Sequence, residues 1–313
     1  MHRKFKELWV EKYRPKKIDD YIFENETHKV AFQTFIKEKS IPHLLLTGIQ
    51  GSGKSTISQI LIDSMNVDEA DILTINASDE NSVDIMREKI NSFVMSYAFG
   101  DGTKIVLLEE ADYITPNGQA VMRRLMEEYV DEARFILTGN YENKIKEPIK
   151  SRCQHFRFKA ADPDDIAEYV ANILVSEEID FDLEQLDLYV AASYPDIRKI
   201  VNSIQQSIDD DSLMDIAAKA ATSTEDFRIT LMGHITNDDW IKARQVVCGH
   251  ASNQEIEEIY TFLYKNLDKS KKFSKQDKWE AGQLKIAEYL YTHSMVADPE
   301  INLAALFIEL KQV

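Results

Sequence analysis

The stretch that decides the fold is His43–Ser55, which reads HLLLTGIQGSGKS. It begins with a short apolar run that is typical of a buried strand, and the spacing of apolar residues predicts a helix over Lys54–Met65. The segment from Gly48 to Ser55 fits the phosphate-binding pattern G-x-x-x-x-G-K-[ST]. Pattern and context together favour a nucleoside triphosphate site over an ordinary glycine-rich turn between a strand and a helix.

Each part of this loop suits a nucleotide. The glycines let the backbone curl so that its N–H groups face phosphates, and the helix N-terminus adds partial positive charge. Lys54 is predicted to reach the β- and γ-phosphates, and the Ser55 hydroxyl is predicted to bind Mg²⁺. The predicted cofactors are ATP and Mg²⁺, and the predicted contacts of the loop with them come from Gly48, Gly51, Ser52, Gly53, Lys54, Ser55 and Thr56.

A pair of carboxylates ends a predicted strand about fifty residues beyond the loop. Glu109 and Glu110 close the apolar run that begins at Ile105. Such a pair resembles a Walker B element, in which Glu109 would hold the Mg²⁺ shell and Glu110 would act as base on the attacking water. Carboxylates are common at solvated strand ends, so the phosphate loop is what favours the functional interpretation.

Strand-like and helix-like segments alternate through the first half of the chain. The predicted strands are His43–Thr47, Ile72–Asn76, Ile105–Glu109, Phe135–Gly139 and Phe156–Phe158, and the other predicted helices are Thr27–Lys39, Ser82–Met95 and Asn117–Tyr129. This alternation implies an α/β fold with a parallel sheet covered by helices.

After Lys159 the strand pattern stops and helices are predicted to the end of the chain. Asp162-Pro163-Asp164 is a typical helix start, and the polar residues Thr222-Ser223-Thr224 offer the best second boundary. We therefore predict an α/β nucleotide-binding domain over 1–159 and helical domains over 160–223 and 224–313. The lysine-rich run Lys269–Lys278 is expected to be a solvated loop.

Composition restricts the function classes. The net charge of −17 argues against a surface coated with DNA-binding charge, so we expect any DNA contact to be local and shared among subunits. The two cysteines, Cys153 and Cys248, form no CxxC pair, which indicates neither a zinc site nor a disulfide framework. A charged N-terminal segment and no membrane-length apolar run predict a cytoplasmic protein without a membrane partner.

Several segments together resemble the small subunits of replication factor C and the ATPase subunit of phage clamp loaders. They are Trp9–Pro15, Pro42–Leu46, Asn76–Glu80, Glu109–Asp112, Thr138–Tyr141, Glu147–Cys153 and Asp196–Lys199. The sequence departs from the family at Glu109, where aspartate is usual, at Ile49-Gln50, and at Pro195, where glycine is usual. Glu109 puts the details of metal coordination in question.

The resemblance implies an AAA+ module: an α/β P-loop domain, a helical lid and an all-α collar that oligomerises. It also implies an ATPase subunit of a pentamer with several copies of this chain, which opens a sliding clamp and loads it onto primer–template DNA. Two alternatives stay open, a structural subunit that binds nucleotide without hydrolysing it and a different AAA+ DNA motor. The source, and with it a host-cell or nuclear location, stays open too.

The resemblance also implies roles for single residues. Trp9, Tyr13 and Arg14 would lie along the adenine, Asn140 would be sensor 1, Arg198 would be sensor 2, and Arg152 would be the arginine finger that reaches a neighbour's γ-phosphate. Arg87 and Lys89 would contact DNA phosphates, although a solvated helix face explains Lys89 equally well. Gln119, Arg123 and Arg124 would couple the DNA-facing helices to the Walker B strand. Met95, Tyr97 and Phe99 would either pack on the clamp or belong to the core.

Overall fold

The computed structural model describes residues 7–79, 83–99, 104–222, 227–250, 253–293 and 295–313. These fall into two compact units. One contains Trp9–Ile166 together with Pro195–Arg198, and the other contains Ala167–Tyr194 and Lys199–Val313 together with Glu7 and Leu8. The predicted division at 159 and 223 stays a prediction, and Ser223 and Thr224 lie outside the described residues.

A five-stranded parallel sheet forms the centre of the first unit. Its strands are β1 Leu44–Gly48, β2 Ile72–Asn76, β3 Lys104–Glu109, β4 Ala133–Gly139 and β5 Gln154–Phe158. They lie in the order β2-β3-β4-β1-β5. All five predicted strands are confirmed, with small differences at their ends. The central strands are buried along nearly their whole length, which is why they read as continuous apolar runs.

Helices cover both faces of this sheet. They are α1 Trp9–Lys12, α2 Glu26–Glu38, α3 Lys54–Ser64, α4 Val83–Met95, α5 Pro116–Glu128 and α6 Glu147–Lys150. One apolar cluster joins α4 and α5 to the sheet, and a second joins α2 and α3 to it. The predicted helices are thus confirmed within one or two residues at each end, except that Ser82 lies outside the described residues.

The second unit is mainly helical, as predicted. Its helices are α7 Pro163–Ser176 and α9 Ile197–Gln205, which both begin in the first unit, and α8 Leu183–Ser193, α10 Ile216–Thr222, α11 Phe227–Thr236, α12 Trp240–His250, α13 Asn253–Asn266, α14 Gln276–His293 and α15 Pro299–Gln312. None of the helices in the described ranges combines the length and the apolar character that crossing a membrane requires.

Two expectations for this unit are wrong. A short antiparallel hairpin, β6 Ile208–Asp209 and β7 Ser212–Leu213, interrupts the helices. Asp210 and Asp211 turn it with φ of 43° and 62°, and a turn with two such residues suits a two-residue hairpin. The run Lys269–Lys278 is not a solvated loop, because Phe273 is buried there and its ring packs 5.5 Å from that of Trp240.

A buried lysine ties the end of α4 to the start of β3. Lys104 is 2% exposed, and its Nζ donates to the carbonyls of Phe93 at 2.5 Å and Ser96 at 2.6 Å. Carbonyls at a helix C-terminus lack intrahelical donors and attract cations, so this position satisfies the buried ammonium. Asp71 accepts the backbone N–H of Phe99 at 2.8 Å and holds the chain beyond the helix.

The segment that Lys104 and Asp71 hold is apolar and exposed. Met95, Tyr97 and Phe99 are 74%, 95% and 75% exposed, so the interpretation of these residues as core is wrong.

Candidate active site

The phosphate loop connects β1 to α3 in a conformation that requires glycine. Gly51 and Gly53 have φ of 74° and 82°, in the left-handed region. A Cβ on Gly51 would lie 2.1 Å from Oδ1 of Asp196, and one on Gly53 would lie 2.6 Å from the Tyr21 hydroxyl. Both backbone angle and lack of space therefore exclude side chains here.

Lys54 occupies the centre of this loop. Its Nζ donates to the carbonyl oxygens of Gly48 at 3.0 Å and Ile49 at 2.7 Å. Burial lowers the pKa of Lys54 to about 8, and the charges of the Asp112 and Asp196 carboxylates partly offset this lowering. A desolvated ammonium beside a helix N-terminus is a strong phosphate ligand, so the loop fits a nucleoside triphosphate.

The N-terminal segment is attached to the helix that follows the loop. Arg14 Nε donates to the Thr56 hydroxyl at 3.2 Å, and the Trp9 ring is buried. The Tyr21 hydroxyl donates to the carbonyl of Ser52 at 3.0 Å, and burial raises the pKa of Tyr21. Sequence reasoning missed this tyrosine. Of the predicted residues Trp9, Tyr13 and Arg14, Arg14 is the one for which the described contacts show a bond beside the loop.

The two carboxylates that the sequence predicts as a Walker B element stand at the carboxyl end of β3. Glu109 and Glu110 are both partly buried, and Glu110 has a left-handed φ of 54°. Within the described residues, no group of three or more His, Cys, Asp or Glu side chains could hold a metal ion alone. Mg²⁺ in phosphate sites commonly uses one or two carboxylates plus the substrate's oxygens. Glu109 with the Ser55 hydroxyl is a donor set of that kind.

Asp112 joins the segment after β3 to Asn140, the predicted sensor, at the end of β4. It is 4% exposed, and its Oδ1 accepts the backbone N–H of Asn140 at 3.1 Å. A Cβ on Gly139 would lie 2.9 Å from the same oxygen, so the strand end fits closely around the carboxylate. Sequence reasoning assigned no role to Asp112, although it ends the segment Glu109–Asp112 that resembles the family. That resemblance could have identified it as a site residue.

Gln119 links α5 to the segment that follows the sensor. Its side-chain amide donates to the carbonyls of Ile114 at 3.1 Å and Lys144 at 2.9 Å, and its Oε1 accepts the N–H of Lys146 at 2.8 Å. Gln119 is buried, whereas Arg123 and Arg124 are exposed on the same helix.

The remaining predicted residues lie outside the loop. Arg87 and Lys89 are exposed on α4, and Arg198 is exposed at the start of α9. Arg152 follows α6 and donates from Nε to Oε1 of Glu127 at 2.8 Å. In the described part of the chain, the hydrogen bonds of Arg152 go to Glu127, Pro148 and Ser151 and none goes to the phosphate loop.

Comparisons with known proteins place these features in a family. The profile of the AAA family, ATPases associated with various cellular activities, matches residues 44–160. The replication factor C small subunit of Aeropyrum pernix is 40% identical over 202 residues, 63% of this chain and 62% of that subunit. The subunit of Methanococcus maripaludis is 33% identical over 76% of this chain and 77% of its own length. The subunit of Halobacterium salinarum is 30% identical over 82% of this chain and 84% of its own length.

Among solved structures, the Thermotoga maritima RuvB Holliday junction branch migration motor matches with a TM-score of 0.53. It covers 80% of this chain and 79% of its own, but only 15% of the aligned residues are identical, so the match shows the fold alone. It confirms the predicted AAA+ architecture of an α/β domain followed by helices. The sequence relatives decide the family: the chain belongs to the replication factor C small subunits.

Proposed function

We propose that this chain is an ATP-hydrolysing subunit of a sliding-clamp loader. The observation that carries the proposal is the position of Asp112, whose carboxylate holds the backbone of Asn140 and attracts the ammonium of Lys54. One buried charge thereby links the Walker B segment, the sensor and the phosphate loop. Such a link suits a site that must register whether the γ-phosphate is present.

Nucleotide binding exchanges the partners of Lys54. The ammonium leaves the carbonyls of Gly48 and Ile49 and takes phosphate oxygens, which form stronger, charge-assisted hydrogen bonds. Ser55 and Glu109 would hold Mg²⁺, which would supply positive charge to neutralise the phosphates of the bound nucleotide. Glu110 orients the attacking water and accepts its proton.

The nucleotide site is completed by a neighbour. In the described part of the chain, Arg152 makes its hydrogen bonds with Glu127, Pro148 and Ser151 and none with its own phosphate loop, which leaves it available to another subunit's nucleotide. Its planar guanidinium is suited to charge spread over phosphate oxygens. We infer an assembly, a pentamer with several copies of this chain, in which each Arg152 completes the next subunit's site, with Arg198 as the sensor-2 cation.

DNA and clamp are the proposed macromolecular partners. Arg87 and Lys89 on α4 contact phosphates and position primer–template DNA without reading its sequence. The exposed apolar segment Met95–Phe99 beyond the same helix packs on the clamp. Gln119, with Arg123 and Arg124, couples movement of the DNA-facing helices to the segment after Asn140. The coupling runs through the hydrogen bonds of Gln119 to Lys144 and Lys146. The reaction takes place in the cytoplasm, where the loader, clamp and DNA meet.

A structural subunit without hydrolysis is the second candidate. The chain carries a full set of the groups that turnover needs, namely Lys54, Ser55, Glu110, Asn140 and Arg152, and this set favours the hydrolysing subunit. Only the substitution of Glu109 for aspartate favours the alternative.

The test is ATP hydrolysis by the assembled loader, with and without clamp and primer–template DNA. We expect both additions together to stimulate turnover and Arg152→Ala to remove most of it, because fingers contribute roughly 10³–10⁵ in rate. Lys159→Ala removes another exposed cation and serves as the control. Unstimulated turnover, or normal turnover in Arg152→Ala, contradicts the proposal.

A further inference from the structure

A carboxylate on α5 holds the proposed arginine finger. Glu127 lies in the last turn of α5, and its Oε1 accepts N–H groups from both Nε and Nη2 of Arg152, the first at 2.8 Å. The two side chains are 45% and 32% exposed. A pair this exposed contributes little to folding stability. What the pair does fix is the direction of the guanidinium.

The contacts of Arg152 divide its guanidinium into an inner and an outer edge. Glu127 occupies the Nε side, and the carbonyl of Pro148 lies 2.6 Å from Nη1. An arginine has five N–H groups in a rigid plane, so these bonds leave an outer N–H of Nη2 without an acceptor in the described part of the chain. Nη1 also donates to the Ser151 hydroxyl at 3.4 Å, so the outer N–H of Nη2 is the one that stays available to a phosphate oxygen while the other bonds fix the guanidinium plane.

The helix that carries Glu127 also contacts the chain's own sensor segment. Gln119 stands two turns earlier on α5 and bonds to Lys144 and Lys146. A single rigid helix thus touches the segment that follows Asn140 at one point and the arginine that serves the neighbour at another. A shift of α5 would therefore move Arg152 through Glu127.

We propose that Glu127 is a positioning residue for the arginine finger, which orients Arg152 toward the nucleotide of the adjacent subunit. Glu127 does not touch the nucleotide itself and acts only through Arg152. This inference rests on the proposed function of Arg152 in hydrolysis.

The experiment compares Glu127→Gln and Glu127→Ala in the assembled loader with clamp and primer–template DNA. The amide keeps the shape of Glu127 but loses its charge, and the alanine loses both. Glu128→Gln is the matched control, because Glu128 is the next residue of α5 and is exposed. Thermal melting of each variant verifies the fold, and kcat and KM for ATP are measured separately.

We expect kcat to fall about 10- to 100-fold in both Glu127 variants, since a misplacement near 1 Å costs a rate factor of that size. KM should stay within about twofold, because the chain's own nucleotide contacts are intact. In an Arg152→Ala background, Glu127→Ala should cause no further loss, as for two residues that act as one unit.

Three results overturn the inference. Normal or increased turnover in Glu127→Ala with impaired Arg152→Ala shows that Glu127 does not position the finger, and the proposed function then still stands. A further loss in the Arg152→Ala background shows that Glu127 acts through another residue. Normal turnover in Arg152→Ala itself removes the proposed finger, and the inference is withdrawn with it.

Discussion

Asp112 and Asn140 lie 28 residues apart and are joined by a hydrogen bond from the Asn140 backbone N–H to the buried Asp112 carboxylate at 3.1 Å. The other carboxylate oxygen, Oδ2, has no hydrogen-bond partner in the described part of the chain. Burial lowers the pKa of Lys54, and the negative charge of Asp112 partly offsets that lowering. A single substitution can therefore separate the hydrogen bond from the charge.

Asp112→Asn should keep the hydrogen bond and lose the charge, whereas Asp112→Ala should lose both. We expect Asp112→Ala to lower the free energy of unfolding by about 1–3 kcal/mol, because the Asn140 N–H is left buried without an acceptor. Denaturant unfolding measures this loss. Equal stability of Asp112→Ala and wild type would show that the hydrogen bond does not hold the sensor strand.

Nucleotide affinity should decrease as the pH rises above about 8. Burial lowers the pKa of Lys54 to about 8 in the free chain, whereas bound phosphates stabilise its charge and raise that pKa. The complex therefore binds more protons than the free chain, so affinity is highest below pH 8 and is lost above it. Calorimetry in two buffers of different ionisation enthalpy should show proton uptake at pH 8–9.

Lys54→Arg is the control for this pH dependence, because a guanidinium stays charged throughout the range. Whatever affinity that variant retains should not vary between pH 7 and 9. In Asp112→Asn the decline should begin at lower pH than in wild type, since one of the charges that raises the pKa of Lys54 is gone. The same decline in Lys54→Arg would assign the titration to another group.

Arg87→Ala should weaken binding to primer–template DNA equally for all sequences. Each lost phosphate contact reduces the slope of log affinity against log salt by about one unit. Binding is measured with an ATP analogue and clamp present. Lys37→Ala, which removes an exposed lysine of α2, is the control. A slope that Arg87→Ala leaves unchanged would return Arg87 to a solvated helix face.

Glu109 should be a working substitute for aspartate. Its extra methylene moves the carboxylate outward by about 1.5 Å, which a different rotamer or a bridging water can accommodate, because Mg²⁺ keeps several waters. We expect Glu109→Asp to remain active, and Glu109→Gln and Glu110→Gln to bind ATP but hydrolyse it poorly. An inactive wild-type loader that Glu109→Asp restores would show that the chain is a nucleotide-binding scaffold.

The sequence predicted the central strands well because β1, β3 and β4 are short apolar runs, the pattern that buried parallel strands commonly have. It failed at the β6–β7 hairpin, whose two-residue strands are too short to show any periodicity. The phosphate loop was also predictable, because its chemistry needs glycine, lysine and serine at fixed spacing.

The contacts that arrange the site were not predictable in the same way. Tyr21 meets Ser52 across 31 residues, and Glu127 meets Arg152 across 25. Such pairs depend on how distant elements pack, and no local spacing encodes them. The family resemblance named Arg152 as a finger, but only the structure shows the glutamate that holds it.

The buried Lys104 has a mechanical consequence. Its ammonium would lose the carbonyls of Phe93 and Ser96 if α4 slid along the sheet, and a buried, unpaired cation is costly. We therefore expect α4 and β3 to move together, so that their amide hydrogens exchange with solvent at similar rates. Lys104→Met removes the ammonium and should abolish this similarity. Arg87 lies on α4, and Glu109 and Glu110 stand at the far end of β3, which is hydrogen-bonded to β2 on one side and β4 on the other. A movement of α4 that reaches Lys104 would therefore be shared by three neighbouring strands of the sheet.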